Sequence, residues 1–284
     1  MTAPLDILNQ VFGYPAFRPP QDEVIDAVVD GHDALVVMPT GGGKSLCYQI
    51  PSLIRDGVGV VVSPLIALMH DQVSALAQLG IAASFLNSTQ SASEQAEVWR
   101  ALEAGELTLL YVAPERLLQS ATLTRLGRCP LALIAIDEAH CVSQWGHDFR
   151  RDYLELKRVG DAFPDVPRIA LTATATPRTR EDIVANLGLR DARQWVAGFD
   201  RPNLTYRVHI KTDPRRQLSD FLSRYEGQSG IVYALSRKKV ESTAEWLSDK
   251  GVNALPYHAG MDAAVRAEHQ QRFLHEDDVV MCAT

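Results

Sequence analysis

Short, almost wholly apolar runs alternate along the chain with longer stretches in which apolar residues return at every third or fourth position. The short runs read as strands of parallel sheets covered on both faces, because such strands have no polar side to show. The longer stretches read as amphipathic helices that cross from one strand to the next. On this pattern strands are expected at residues 34–38, 59–63, 108–112, 131–136, 168–172, 204–209, 230–234, 253–257 and 279–282. Helices are expected between them, among others at 65–79, 94–104, 179–187, 215–225, 238–250 and 263–274. Within 238–250, Val240, Ala244 and Leu247 fall on one helical face, which must pack on a sheet. Turn formers from Gly198 to Asn203 separate two alternating blocks, 1–198 and 199–284. The fold class is therefore α/β with mainly parallel sheets. The second block stops on an apolar segment, 278–284, that reads as a buried strand, so this block is expected to be incomplete.

Composition narrows the class. With 46% hydrophobic residues in 284, the chain can build two sizeable cores, and nothing in it resembles a disordered tail. The amino terminus lacks a basic segment followed by an apolar core, and no apolar run could span a bilayer, which predicts a cytoplasmic protein, in bacterial cytoplasm or nucleoid, with no membrane partner. Cys47, Cys129, Cys141 and Cys282 are scattered, so neither a zinc site nor a disulfide framework is expected. The net charge of −7 argues against a broad basic face and confines any nucleic-acid footprint to local patches.

The chemistry concentrates in two segments. Residues Met38 to Ser45 read MPTGGGKS, between the apolar run 34–37 and a helix-forming stretch from Leu46. Gly41, Gly42 and Gly43 allow backbone N–H groups to converge on one anion, with Thr40 alongside and a helix N-terminus behind them. Lys44 can reach the outer phosphates of a triphosphate, and the Ser45 hydroxyl can ligate Mg²⁺. Met38 stands where this motif usually has its first glycine. The second segment is Asp137-Glu138-Ala139-His140, directly after the apolar strand 131–136. It brings two carboxylates to the same sheet edge as the glycine loop. Asp137 can hold Mg²⁺, and Glu138 can orient and deprotonate an attacking water. ATP and Mg²⁺ are the implied cofactors.

Beyond these parts, the chain resembles the RecQ family of superfamily 2 helicases over nearly its whole length. Phe12-Gly13-Tyr14 with Phe17-Arg18-Pro19-Pro20-Gln21 is similar to that family's adenine-binding motif. The resemblance implies that Tyr14 or Phe17 stacks on the base, that Gln21 pairs with its edge and that Arg18 supports the site. Residues 63–72 and 111–116 are similar to strand-contacting motifs, and Leu171-Thr172-Ala173-Thr174-Ala175 to the motif coupling ATP to DNA through Thr172 and Thr174. Ser143-Gln144-Trp145-Gly146-His147-Asp148-Phe149-Arg150 is similar to the aromatic-rich loop of RecQ enzymes. There Trp145 and Phe149 offer flat faces on which unpaired bases can stack without regard to sequence, and Arg150 can answer phosphate charge. Gln144 and His147 belong to the same DNA-contacting set. His140 would act with the catalytic carboxylates. Arg237, in a segment similar to the start of the second lobe, is either a DNA-coupling arginine or a solvated arginine opening a helix.

The resemblance implies tandem RecA-like P-loop NTPase lobes, a complete one over 1–198 and a truncated one over 199–284, from a 3′→5′ DNA helicase active in repair and recombination. Its partners would be single-stranded and partly duplex DNA. The glutamine and arginine motif that supplies an arginine finger is not found within the 284 residues, so little activity is expected of this chain alone. Two alternatives stand beside this reading: an ATP- and DNA-binding module without turnover, and an RNA-directed superfamily 2 helicase.

Overall fold

A computed structural model describes residues 3–143, 149–198 and 203–284. The chain divides into two compact units, Met1–Pro202 and Asn203–Thr284.

The first unit is built on seven parallel strands: β1 (Ala34–Val37), β2 (Val58–Val62), β3 (Ala83–Leu86), β4 (Leu109–Val112), β5 (Leu131–Ile136), β6 (Arg168–Thr172) and β7 (Arg193–Val196). Their order across the sheet is β3-β4-β2-β5-β6-β1-β7. The inner strands are almost wholly apolar because they feed two cores, one on each face; the polar exceptions are Arg168 and Thr172, buried at the two ends of β6. In β2, Val58, Val60 and Val62 enter one core while Val61 enters the other; in β5, Ile134 and Ile136 part from Leu133 and Ala135 in the same way. Helices Gln21–Val29, Leu46–Ile54 and Ile66–Gln78 cover one face. Helices Ala92–Glu103, Ser120–Leu126 and Pro177–Leu187 cover the other. Local sequence sets their limits: Ser91 and Glu94 close a capping box, and Thr176 caps a helix that opens with Pro177 and ends at left-handed Gly188.

Two edge strands escape the apolar pattern. β7 reads Arg-Gln-Trp-Val and is largely exposed, and β3 is only half-buried, so neither carries the continuous apolar run of an inner strand. The expected strand at 204–209 does not form. Leu204, Tyr206 and Val208 alternate with polar residues as a strand would, yet no described strand pairs with them, and Tyr206 and Val208 are 89% and 97% exposed. Period-two alternation marks a segment that could lie on a sheet; pairing also needs an available edge.

The second unit holds three parallel strands, β8 (Gly230–Tyr233), β9 (Ala254–Tyr257) and β10 (Val280–Ala283), in the order β8-β10-β9. Helix Arg237–Ser248 lays Val240, Ala244 and Leu247 against them, the face its periodicity specified. Among the described residues no helix is long and apolar enough to cross a membrane.

Candidate nucleotide-hydrolysis site

Strand order assembles the site. β6 lies between β5 and β1, so the carboxyl ends of three neighbouring strands deliver Asp137-Glu138, Thr172 and the glycine loop side by side. A cavity of about 530 Å³ opens there, lined by Tyr14, Arg18, Gln21, Thr40, Lys44, Ser45, Asp137 and Glu138 among others.

The glycines have different reasons to be glycine. Gly41 and Gly43 have left-handed backbones, φ +77° and +83°. Gly42 does not, but a Cβ there would meet the Pro39 carbonyl oxygen at 2.9 Å. Around this loop Arg18 and Gln21 act as braces. Gln21 is buried; its side-chain oxygen accepts the Arg18 N–H at 2.8 Å and its amide donates to the Gly43 carbonyl at 3.0 Å. Arg18 Nη1 donates to the Gly41 carbonyl at 2.9 Å. Tyr14 is half exposed at the cavity rim. Phe17 does not line the cavity: it packs with Ile7, Leu8, Ile25 and Ile50, and Phe12 takes the lining position instead. Phe17 thus serves the apolar core beneath this segment, and of the two aromatic positions proposed for stacking only Tyr14 borders the cavity.

Lys44 donates to the Met38 carbonyl at 3.0 Å, and burial pushes its ammonium pKa down, against the pull of Asp137 and Glu138. Ser45 makes no capping hydrogen bond with its side chain. Its hydroxyl and the Asp137 carboxyl border one cavity and are both hard oxygen donors, a set that suits Mg²⁺. Desolvation, then the Glu138 charge, raises the Asp137 pKa to about 6. A divalent cation beside it would favour the ionised form.

Glu138 has a left-handed backbone, φ 49° and ψ 42°, unusual for a residue with a side chain. Its carboxylate lies 3.2 Å from His140 Nδ1, which is also 2.9 Å from Thr172 Oγ1. The Thr172 hydroxyl has the Thr174 carbonyl as acceptor at 3.2 Å, so its oxygen can accept from a protonated Nδ1. Contacts with the Cys141 sulfur and with Glu138 push the imidazole pKa up to about 10, despite burial. His140 is buried and does not line the cavity; it links Glu138 to Thr172 rather than facing a substrate.

The nucleic-acid candidates divide. Gln144, Trp145 and His147 lie outside the described residues. Phe149 is half-buried, and Arg150 donates through its backbone to the Cys141 carbonyl at 2.9 Å and through Nη1 to the Pro64 carbonyl at 3.3 Å. Thr172 is fully buried and Thr174 exposed. In the second unit, exposed Arg237 opens its helix and lies against Gly260, where a Cβ would come within 2.7 Å of Nη1.

Sequence reading passed over a polar group beneath the loop. Gln49 donates to Gln72 at 3.1 Å and to the Tyr111 hydroxyl at 3.4 Å, and Tyr48 meets Tyr111 at 3.4 Å. It ties the helix behind the glycine loop to helix Ile66–Gln78 and strand β4. The available signal was a glutamine and a tyrosine inside an otherwise apolar helix.

Residues 18–183 match the family model described as DEAD/DEAH box helicase. The chain belongs to the DEAD/DEAH box helicase family. Within that family it is 49% identical over 280 residues to the ATP-dependent DNA helicase RecQ of Haemophilus influenzae, covering 99% of this chain and 45% of that one. It is 43% identical over 280 residues to RecQ of Bacillus subtilis, with 98% and 47% covered. Against the ATP-dependent helicase SGS1 of Saccharomyces cerevisiae it is 42% identical over 288 residues, with 98% and 20% covered. The chain thus spans less than half the length of these curated relatives. Among solved structures, the DUF1998 helicase MrfA, bound to DNA and AMPPNP, superposes with a TM-score of 0.77 at 20% identity, over 100% of this chain and 44% of that one. That likeness concerns the fold.

Proposed function

We propose that this helicase-family chain supplies the nucleotide-hydrolysing part of a RecQ-type, ATP-dependent DNA helicase, one that moves 3′→5′ along single-stranded DNA and separates duplexes in repair and recombination in the cytoplasm. The observation that carries the reading is the alignment of glycine loop, acidic pair and Thr172 on three adjacent strand ends. The loop amides and Lys44 bind the phosphates, Gln21 and Tyr14 receive the adenine, and Asp137 with Ser45 would hold Mg²⁺, whose charge helps neutralise the phosphates. Glu138 takes a proton from the attacking water. His140 and Thr172 link the base to the segment whose resemblance implies coupling to DNA. Specificity for DNA rests on the RecQ-type loop 143–150.

Glu138→Gln tests the reading. The amide keeps the shape but cannot accept the proton, so in the full-length parent helicase ATP affinity should stay within about twofold while DNA-stimulated hydrolysis falls by at least about 10². Unchanged hydrolysis would refute the assignment of the base. ATP and DNA binding with no turnover in the parent would favour the binding-module alternative, and stimulation by RNA in place of DNA the RNA-directed one.

A further inference from the structure

Tyr153 belongs to the short helix Arg151–Glu155, which follows the aromatic-rich segment. Its ring is fully buried in the core that also takes Ala139, Cys141 and Val142 of the acidic turn. The hydroxyl reaches out of that core and donates to the Asp137 carbonyl at 2.9 Å. That carbonyl belongs to the peptide linking the two carboxylate residues, and the next residue, Glu138, is the one held in a left-handed backbone. Such a conformation persists in a residue with a side chain only where the surroundings over-determine it. The main-chain ties at this turn run from Asp137 N–H to the Val62 carbonyl and from Cys141 N–H to the Glu138 carbonyl, both 2.9 Å. The Asp137 carboxyl adds a third by accepting the Glu138 N–H at 2.9 Å. Tyr153 brings its tie from a different helix, and its own N–H donates to the Arg150 carbonyl at the end of the loop.

We propose that Tyr153 is a positioning residue for ATP hydrolysis, its hydroxyl fixing the Asp137–Glu138 peptide plane and thereby the direction in which the Glu138 carboxylate enters the cavity. The inference rests on reading that cavity as a hydrolytic site. It concerns orientation, not the contents of the core: the ring fills volume whether or not the oxygen is there, while only the oxygen reaches the peptide.

Tyr153→Phe removes the oxygen and keeps the ring. ADP affinity should be unchanged, and the thermal midpoint should fall by no more than a few degrees, the cost of one buried hydrogen bond. Affinity for ADP with aluminium fluoride, which mimics the transferring phosphoryl group and its attacking water, should fall about three- to tenfold, the effect of one lost hydrogen bond. In the full-length parent, single-turnover ATP hydrolysis with single-stranded DNA should fall by the same factor at unchanged ATP affinity. In a Glu138→Gln background the substitution should cost nothing further, because the base it orients is gone. Unaltered aluminium fluoride affinity would overturn the proposal. So would parallel losses in ADP affinity, thermal midpoint and the double variant, which would make Tyr153 a purely structural residue. Wild-type hydrolysis by Glu138→Gln alone is a distinct result: it removes the hydrolytic assignment first, and the proposal with it.

Discussion

Replacing Asp137 by Asn should make the folded chain more stable at neutral pH while removing its hold on Mg²⁺. Desolvation and then the adjacent Glu138 charge raise this carboxyl from its ordinary 3.8 to about 6. At about 1.4 kcal/mol for each tenfold change in protonation, keeping it ionised in the folded state costs about 3 kcal/mol relative to the unfolded chain. The sign follows from the raised value. Below about pH 4 the carboxyl is protonated in both states and the cost is absent; it grows as pH rises from about 4 to about 6 and is complete above that. Asn carries no charge and still offers an oxygen to the Glu138 N–H, which Asp137 Oδ1 accepts at 2.9 Å. The expected gain at neutral pH is about 2–3 kcal/mol, or about 4–12 °C in the midpoint of a unit of this size. Urea titrations in EDTA, repeated from about pH 4 to about pH 8, measure it. The reasoning fails if the Asn variant is no more stable at neutral pH, or if its advantage persists undiminished at the acid end. Adding Mg²⁺ with ATP should then stabilise the parent chain and leave the variant almost unmoved.

Lys44→Ala should abolish tight ATP binding with the fold intact, since Lys44 brings the loop's own cation to the phosphates; a fluorescent-nucleotide titration measures this. Gly43→Ala should weaken ATP binding about tenfold and erode selectivity for adenine over guanine nucleotides, because φ +83° strains a side-chain residue and a Cβ would sit 2.3 Å from the Gln21 amide nitrogen. Competition titrations with GTP would show it. Arg168→Ala should destabilise the first unit by about 3–5 kcal/mol. It strands buried Asp33, which holds Arg168 Nη2 at 2.8 Å, and denaturant unfolding gives the size of the loss.

The parts most legible in the sequence were those where one demand governs several residues. Inner strands buried on both faces are apolar wherever they face a core, so β1, β2, β4, β5 and the middle of β6 stood out; Arg168 and Thr172 at the ends of β6 are buried beside Asp33 and His140. β7 did not, because an edge strand carrying Arg193 and Gln194 obeys no such demand. Residues 204–209 misled for the converse reason, having the alternation of a strand with no described partner. At the site, the glycine loop and acidic pair were readable because their chemistry fixes residue types at fixed spacing. The division of labour between Phe12 and Phe17 was not, since either ring could stack or pack. Tyr153 was invisible for a plainer reason: its role depends on a hydroxyl reaching a carbonyl sixteen positions away, and spacing encodes no such contact.

The two ends of the sheet in the first unit carry different burdens. At the amino end of β1 and β6, Asp33 accepts hydrogen bonds from Arg168 N–H, Arg168 Nη2 and Arg190 N–H, each at 2.8 Å, so its charge is matched within the fold. At the carboxyl end, His140 answers the Glu138 carboxylate, while desolvation and the Glu138 charge still hold the neighbouring Asp137 carboxyl up at about 6. A fold needing only stability would exchange the second arrangement for the first. Holding the Asp137 carboxyl at that cost is sensible where phosphates and a divalent cation are to arrive and rearrange the charges around it. Substitutions at the two ends should therefore act independently: Arg168→Ala lowers stability and spares nucleotide affinity, while Asp137→Asn raises stability and loses the cation. With the two sites at opposite ends of the strands, their effects on unfolding free energy should add within about 0.5 kcal/mol in the double variant.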